Sequence, residues 1–447
     1  MGVSAYVFSM QKARRIDRQS TQKLHSRPSY HGLYSLLWVL IAGWGVLFVM
    51  VPISSYVIDN ALLSRIFLAQ SDRPAIEHQL VLSDAKALAT GALASHSDPL
   101  RAELAQSYLF LSNLRWWLTV ALVSTAALVA AGVTSGKISP DWRARNRVEN
   151  ILQIVLTMTA AVAVLTTVGI VLSLIFETVS FFGKINWRLD KFLFGTTWSP
   201  LSGVHSGDFD LNRVGAVPLF VGTFLITAIA MVVAVPVGLF AAIYLSEFAG
   251  TKTRSFVKPM LEILAGIPTV VYGVFAAITV APFLRSTGDS FGVAIASESA
   301  LAAGIVMGIM IIPFISSLSD DVINAVPQSL REGSYGLGAT KAETIRQVIL
   351  PAALPGIVSA VLLGVSRAVG ETMIVVMAAG QGANLSVNPF EAVTTVTVQI
   401  VMLITGDTEA DTAAGPAFTL GFTLFGLTLL MNGAAQLFVR RYRELYD

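Results

Sequence analysis

The sequence predicts an all-α integral membrane protein. Charged residues make up 13% of the 447 residues and apolar residues 54%, whereas charged residues are about a quarter of a typical soluble domain. The apolar residues lie in long runs with few or no charges, as a helix needs to cross a hydrocarbon layer about 30 Å thick. The net charge of +2 does not indicate a nucleic-acid partner, and the absence of cysteine excludes disulfides and thiolate metal sites.

Eight apolar runs are predicted to span the membrane. They cover residues 33–53, 117–133, 151–176, 216–245, 256–281, 301–318, 355–379 and 413–439. The fifth run contains one acid, Glu262, and the seventh contains Arg367 and Glu371. The first run is too long for the core of a signal peptide, so we interpret it as an uncleaved anchor.

The basic residues predict the orientation of the chain. They cluster in the N-terminal arm, in the loops after the second and fourth spans, and in the C-terminal tail. In an eight-span topology these four segments lie on one side, which the positive-inside rule makes cytoplasmic. Residues 381–412 contain no Lys or Arg and are expected outside. The sequence therefore predicts a multi-pass protein of the bacterial inner (plasma) membrane with both termini in the cytoplasm.

The spans and charges also suggest a division into domains. An arginine-rich linker near residue 145 separates two N-terminal spans from the other six. The predicted parts are a cytoplasmic basic arm (1–32), an N-terminal module (33–145) with an external segment of about 54–114, and a six-span core (146–447) with a cytoplasmic loop (319–352).

That cytoplasmic loop carries a spaced motif. Its members are Glu332, Gly333, Ser334, Gly338, Val348, Leu350 and Pro351. The spacing resembles the loop shared by permeases of ATP-binding-cassette (ABC) importers, which reads Glu-Ala-Ala, three residues, Gly, nine residues, Ile, any residue, Leu-Pro. Here Gly and Ser replace the two Ala and Val replaces Ile, so the shape of the motif is retained.

The motif predicts two short helices separated by Gly338 and stopped by Pro351. An ordinary amphipathic loop is the alternative interpretation. The resemblance implies that the hairpin docks on a cytoplasmic ATPase, with Glu332 and Gly338 as the contact. The chain has no Gly-x-x-x-x-Gly-Lys-[Ser/Thr] phosphate loop. We therefore expect no enzyme activity, metal site or cofactor in this chain, and we expect ATP and Mg to bind the partner ATPase.

Charges inside the seventh span form the second candidate site. Arg367 and Glu371 are four residues apart, so on one helix they can pair with each other. In one reading they only neutralise each other. In the other, Arg367 attracts an oxyanion while Glu371 balances its charge and accepts the proton of monohydrogen phosphate, with Ser366 and Thr372 beside them. Charges at this depth usually face a partner or a watery path.

Two residues of the fifth span are candidates for gating. Glu262 lies near the cytoplasmic end of that span, and Pro268 is expected to kink it. Simple exposure of Glu262 at the membrane interface is an equal alternative.

The six-span core resembles the phosphate-specific branch of this permease family. The resembling stretches are residues 192–200, 235–247, 265–273 and 367–372. Residues 370–377 are more similar to the PstC-type subunit than to its PstA-type partner. The resemblance implies transport roles for Arg367 and Glu371. It also implies a complex with a PstA-type permease, two copies of a cytoplasmic ATPase and an external phosphate-binding protein.

Other functions remain open at this point. A permease for molybdate, sulfate or another oxyanion would share the coupling loop. A secondary transporter would show repeats and broken helices without an ATPase-docking loop. A membrane sensor or scaffold could use the external segment of the N-terminal module.

Overall fold

The computed structural model describes residues 1–19, 23–69, 75–91, 98–200, 213–406 and 410–443. In these ranges eight helices are long and apolar enough to cross a membrane, which confirms the predicted all-α class and number of spans. They are Pro28–Ala69, Pro99–Gly136, Ala144–Lys184, Val217–Phe248, Thr269–Ser290, Ala300–Ala325, Lys341–Val369 and Ala414–Leu437. Parts of the predicted external segment (70–74 and 92–97) and of the predicted external loop (407–409) lie outside the described residues.

The chain divides into two compact units, residues 1–165 and 166–447. The first unit contains α1 (Gly2–Gln19), α2 (Pro28–Ala69), α3 (Ala75–Thr90), α4 (Pro99–Gly136) and the first half of α5 (Ala144–Lys184). The boundary between the two units falls inside α5, whereas the basic linker predicts a domain boundary at residue 146. The predicted domain boundaries therefore stay a prediction.

In the first unit, α2 and α4 form an antiparallel pair. Ser35 and Thr134 share a hydrogen bond of 2.7 Å near one end of the pair. The α3 helix packs on the opposite end, where an apolar cluster includes Leu62, Ile66 and Val81. The predicted basic arm contains α1, in which Ala5, Ser9 and Ala13 are buried and the three arginines are exposed.

The second unit contains the remaining helices. In chain order they are α6 (Leu189–Phe194), α7 (Val217–Ile243), α8 (Thr251–Ala265), α9 (Thr269–Phe275), α10 (Ala281–Ser290), α11 (Ala300–Ala325), α12 (Gln328–Gly336), α13 (Lys341–Thr344), α14 (Leu350–Val369), α15 (Met373–Ala378), α16 (Val396–Thr405) and α17 (Ala410–Arg443). Three π-helical turns follow α7 (Tyr244–Phe248), α9 (Ala276–Val280) and α13 (Ile345–Ile349).

The centre of the second unit is α11, which packs along α7. Gly304 and Gly308 of α11 face α7 so closely that a Cβ atom at either position would collide with Ile229 or Val233. Small residues four apart allow two membrane helices to approach closely, and dispersion contacts then hold them together. The α7–α11 pair therefore forms a rigid base for the segments that contact it.

The predicted fifth span is wrong in its first half. Residues 256–281 do not form one helix, because α8 ends at Ala265 and α9 begins after Pro268. Gly266 donates its N–H to carbonyls of the last turn, and Pro268 has no N–H with which to continue a helix. The α8 helix has no buried side chain, and the apolar span begins at Thr269.

The predicted seventh span is also wrong in its bounds. The apolar span runs from Lys341 to Val369, and α15 follows as a separate short helix. The predicted external loop, residues 381–412, contains the apolar helix α16. This helix has ten residues, too few to cross the hydrocarbon layer. The side chains of Val396 and Val398 in α16 are fully buried.

Candidate functional site

The helix break at Gly370 shapes the membrane-embedded candidate site. The α14 helix ends at Val369, and the Gly370 N–H donates to the carbonyls of Ser366 and Ala368. The helix ends between Arg367 and Glu371, and the Glu371 N–H donates to the Ala368 carbonyl at 3.2 Å. No ion pair found in the described residues includes either side chain. The structure therefore does not show the mutual neutralisation of the first reading, and the roles of both residues stay predictions.

Arg367 lies on the surface of the chain and keeps its charge unneutralised. Its side chain is exposed, and its guanidinium carbon lies 5.7 Å from the centre of the Phe314 ring of α11. A cation over an aromatic face is attracted to the ring but does not lose its charge. A guanidinium held in this way still has donors free for an oxyanion.

Glu371 is held by two hydrogen bonds from residues that follow the break. Its Oε1 accepts the Met373 N–H at 3.2 Å, and its carbonyl accepts the Thr397 hydroxyl at 2.9 Å. Thr397 also shares a hydrogen bond of 3.0 Å with the hydroxyl of Thr395. Thr372 is half-buried at the start of α15 and forms no side-chain cap. The first turn of α16 therefore contacts the break directly.

Ser366 connects the same region to α17. Its hydroxyl donates to Asn432 Oδ1 at 2.7 Å, and both side chains are half-buried. Sequence reasoning missed Asn432 and Thr397 because it searched the spans for charges only. A search for uncharged polar residues in the last span, which has no charge, would have found Asn432.

The cytoplasmic motif forms two short helices, α12 and α13, with Gly338 between them. Gly338 has a φ of +85°, a backbone conformation that glycine adopts without strain. Thr340 and Glu343 form a capping box at the start of α13, and the hydroxyls of Ser334 and Thr344 lie 2.9 Å apart. These local bonds fix the angle between the two helices.

The exposed surface of α12 and the turn combines one acid with apolar side chains. Glu332, Gly333 and Tyr335 are exposed, and Leu337 at the turn is 92% exposed. A leucine so exposed at the tip of an ordered hairpin is a typical contact for a partner protein.

The end of the motif runs into a long helix. Val348, Leu350 and Pro351 are half-buried, and the helix continues past Pro351 into α14. The prediction that Pro351 stops the hairpin is therefore wrong. The wider π-helical turn just before it accommodates a residue without an N–H.

A buried ion pair anchors the hairpin to the rest of the unit. Arg331 pairs with Glu247 of the π turn after α7, and their side chains are 12% and 5% exposed. Arg331 Nη2 also donates to the carbonyl of Ile323 at the end of α11, at 2.7 Å. Sequence reasoning missed this pair, although Arg331 directly precedes Glu332 and Glu247 ends a stretch that resembles the family.

A second ionic cluster joins α8 to α11. Asp320, which is 2% exposed, accepts from Arg254 and from Lys258, both at 3.0 Å. The hydrogen bond to Asp320 raises the pKa of Lys258, which lies outside the apolar spans. The α8 helix is therefore tied to α11 although none of its side chains is buried.

The two gating candidates lie beside this cluster. Glu262 is exposed and lines a cavity of about 230 Å³ between α8 and α11. Pro268 is exposed and precedes the first residue of α9. Ser316 also lines the cavity, and its buried hydroxyl has no hydrogen-bond partner in the part of the chain that the structure describes. Gating by Glu262 and Pro268 stays a prediction.

Both units of the chain match known families. Residues 1–166 match a family described as a phosphate ATP-binding cassette transporter, and this match ends one residue past the boundary between the units. Residues 234–444 match the binding-protein-dependent transport system inner membrane component. The second match covers the cytoplasmic hairpin and the break at Gly370.

Curated relatives are similar over most of their length. The chain is 35% identical over 243 residues to the probable ABC transporter permease protein YqgH of Bacillus subtilis, covering 54% of this chain and 74% of that one. It is 31% identical over 309 residues to the phosphate transport system permease protein PstC of Mesorhizobium japonicum, covering 64% and 88%. It is 36% identical over 250 residues to PstC 1 of Mycobacterium tuberculosis, covering 51% and 72%.

Proposed function

Since this chain belongs to the family of phosphate-transport permeases, it is the membrane subunit of an ATP-driven phosphate importer, and we propose that its Arg367 segment lines the phosphate route. The observation that carries the proposal is the exposed guanidinium of Arg367 at a break in a membrane helix, without a carboxylate partner among the residues that the structure describes. A charge in that position is costly unless it faces water or a ligand of opposite charge.

The groups around the break suit phosphate. Arg367 supplies donors in a planar fork that matches the oxygens of an oxyanion. Glu371 has a carboxylate that can accept the proton of monohydrogen phosphate, a proton that sulfate lacks. Because the Met373 N–H and the Thr397 hydroxyl hold both sides of the Glu371 residue, the carboxylate is oriented before the ion arrives.

Uptake of labelled phosphate tests this proposal. The complete transporter is reconstituted in vesicles with ATP, and wild type is compared with Arg367→Gln. Arg285→Gln is the matched control, because Arg285 is also on a helix of the second unit but away from the break. We expect uptake to fall at least tenfold in Arg367→Gln and to stay within twofold of wild type in Arg285→Gln.

Competition identifies the oxyanion in the same assay. Excess sulfate or molybdate is expected to leave wild-type phosphate uptake unchanged. Displacement by either anion would contradict phosphate selectivity and favour the broader oxyanion permease. Normal uptake by an assembled Arg367→Gln transporter would remove Arg367 from the route.

We further propose that the α12–α13 hairpin docks on a separate ATPase chain. Glu332 offers an anionic contact, and Leu337 and Tyr335 offer apolar contacts at the turn. Arg331 fastens α12 to the ends of both α7 and α11. A push on the hairpin would therefore move the two helices that form the base of the unit.

Co-purification of the ATPase tests the docking surface. Leu337→Asp is expected to reduce the bound ATPase at least tenfold, because it places a charge in an apolar contact. Lys341→Gln is a matched surface change on the other helix of the hairpin. If the Leu337→Asp variant retains wild-type amounts of ATPase, the turn of the hairpin is not the docking surface.

We propose that the complete machine contains a PstA-type second permease, two ATPase chains and an external phosphate-binding protein. We also propose that both termini lie in the cytoplasm, as the basic segments predict. The chain has no cysteine, so single cysteines introduced at Ser4 and Ser386 can be labelled without background. We expect an impermeant maleimide to label position 386, and not position 4, from outside intact spheroplasts.

A further inference from the structure

An amphipathic groove runs between α2 and α4 in the first unit. It has a volume of about 510 Å³. Ser112, Asn113 and Arg115 line one end, and Leu47, Val51 and Val120 line the other, where the small hydroxyls of Thr119 and Ser124 also lie. The charged group is thus confined to one end of the groove and most apolar side chains to the other, as the head and chain of a lipid are.

The depth of the polar end follows from the register of the two helices. Ser35 bonds to Thr134 near the basic end of the pair, and Ser55 accepts from Arg115 Nη1 at 3.0 Å farther along. From Ser35 to Ser55 an α-helix rises about 30 Å, which is the thickness of the hydrocarbon layer. Arg115 therefore lies at the interface away from the basic ends, which is the outer one in the proposed orientation.

Two aromatic residues give independent support for this depth. Trp116 and Trp117 are 57% and 65% exposed and pack edge to face, with ring centres 4.7 Å apart. Exposed tryptophans of membrane proteins concentrate at the headgroup level.

The charge of Arg115 has no acidic partner in the part of the chain that the structure describes. No ion pair found in the described residues includes it, and its side-chain hydrogen bond goes to a neutral hydroxyl. At the headgroup level of a bilayer, lipid phosphates supply the anion that a planar guanidinium binds best. We propose that this groove binds one phospholipid, with its phosphate on Arg115 and an acyl chain against the apolar end.

The experiment is native mass spectrometry of the assembled transporter with added dioleoyl-phosphatidylglycerol. Arg115→Gln removes the charge, and Val120→Trp fills the apolar end while Arg115 stays intact. Arg65→Gln is the matched control, because Arg65 donates to Ser107 at 3.2 Å on the same pair of helices but does not line the groove. Only variants that assemble with the ATPase and elute as wild type are compared.

We expect each groove variant to lower the retained phosphatidylglycerol at least fivefold and Arg65→Gln to leave it within 1.5-fold. Equal retention by wild type and both groove variants would overturn the proposal. So would a wild-type transporter that retains no lipid, since another protein segment would then cover the groove. Displacement of the lipid by millimolar inorganic phosphate would also overturn it, because the ligand would then be the free ion.

Discussion

The hairpin end of the second unit and the break at Gly370 differ in how their charged side chains are paired. At the hairpin end, Arg331 and Glu247 are both largely buried and paired, and Asp320 accepts from two cations. At the break, Arg367 is exposed and rests against an aromatic ring, while the one hydrogen bond that the Glu371 carboxylate forms within the described residues is to a backbone N–H.

In the proposed function, this difference separates the residues that hold the hairpin from those that bind the ion. A buried ion pair adds little net stability, but removal of one partner leaves an uncompensated charge and is costly. The buried pairs would therefore resist separation if an ATPase pushed the hairpin. An unpaired, exposed charge costs little to remove and has donors available for a ligand, as the proposed transport route requires.

The largest effect on stability is expected from Arg331→Met. This change leaves the Glu247 carboxylate buried without its cation and should lower the free energy of unfolding by about 3–5 kcal/mol. Thermal unfolding of the purified transporter measures it, with Arg346→Met, an exposed arginine of the same region, as the control. If Arg331→Met unfolds at the wild-type temperature, the contrast between the buried Arg331–Glu247 pair and the exposed Arg367 fails, because the buried pair would then not hold the hairpin in place.

A smaller effect is expected from Thr340→Ala. This change removes the hydroxyl of the capping box of α13 and should cost about 1 kcal/mol. Amide hydrogen exchange in residues 340–345 is expected to quicken by roughly fivefold, in line with that loss. Thr251→Ala is the control, because Thr251 is the first residue of α8 after its N-cap Gly250, and this helix start has no side-chain cap hydrogen bond. Unchanged exchange in Thr340→Ala would show that tertiary contacts alone hold the hairpin.

The pairing of Lys258 predicts a pH dependence. Its hydrogen bond to Asp320 raises the pKa above the ordinary 10.5, so the charged amine stabilises the folded chain fully below pH 10.5. That contribution is lost as the pH rises through the folded-state pKa. Because Lys258 is partly exposed, we expect less than about 1 kcal/mol.

The measurement compares unfolding temperatures of wild type and Lys258→Met as the pH rises. The difference between them should shrink above pH 10.5. Lys252→Met, at an exposed position of α8, should differ little from wild type at any pH. A Lys258 difference that grows with pH would have the wrong sign and contradict the pairing.

The smallest effect on stability is expected from Arg367→Gln. Because this arginine is exposed and has no acidic partner, its removal should change the free energy of unfolding by less than about 0.5 kcal/mol. Thermal unfolding is measured on the same samples that lose phosphate uptake. A loss of stability as large as that of Arg331→Met would show that Arg367 is a structural charge.

Part of the candidate site was accessible to sequence reasoning. The spacing from Glu332 to Pro351 predicts the hairpin, because a glycine at 338 acts on neighbouring residues. The capping box of Thr340 and Glu343 is equally local, but sequence reasoning missed it. The partners of the hairpin were not accessible. Glu247 lies far from Arg331 in the chain, and nothing local in either segment indicates that they meet.

The helix break at Gly370 was also not accessible to sequence reasoning. Gly370 alone costs an α-helix only about 1 kcal/mol, so a continuous span was a reasonable prediction. In the structure, α15 turns to pack on α9, where Gly273 lies against Met373 and Met377. The Thr397 hydroxyl reaches the Glu371 carbonyl from α16. These distant contacts outweigh the small local preference for a longer helix.

By itself, the sequence determined the all-α membrane class, the number of spans and the location of the hairpin motif, because long apolar runs and a helix-breaking glycine act within one segment. The tertiary structure alone decided that the helix ends between Arg367 and Glu371, that Glu247 holds the hairpin, and that α8 lies outside the fifth span. In membrane helices of similar apolarity, such choices depend on close packing and on hydrogen bonds between segments distant in the chain.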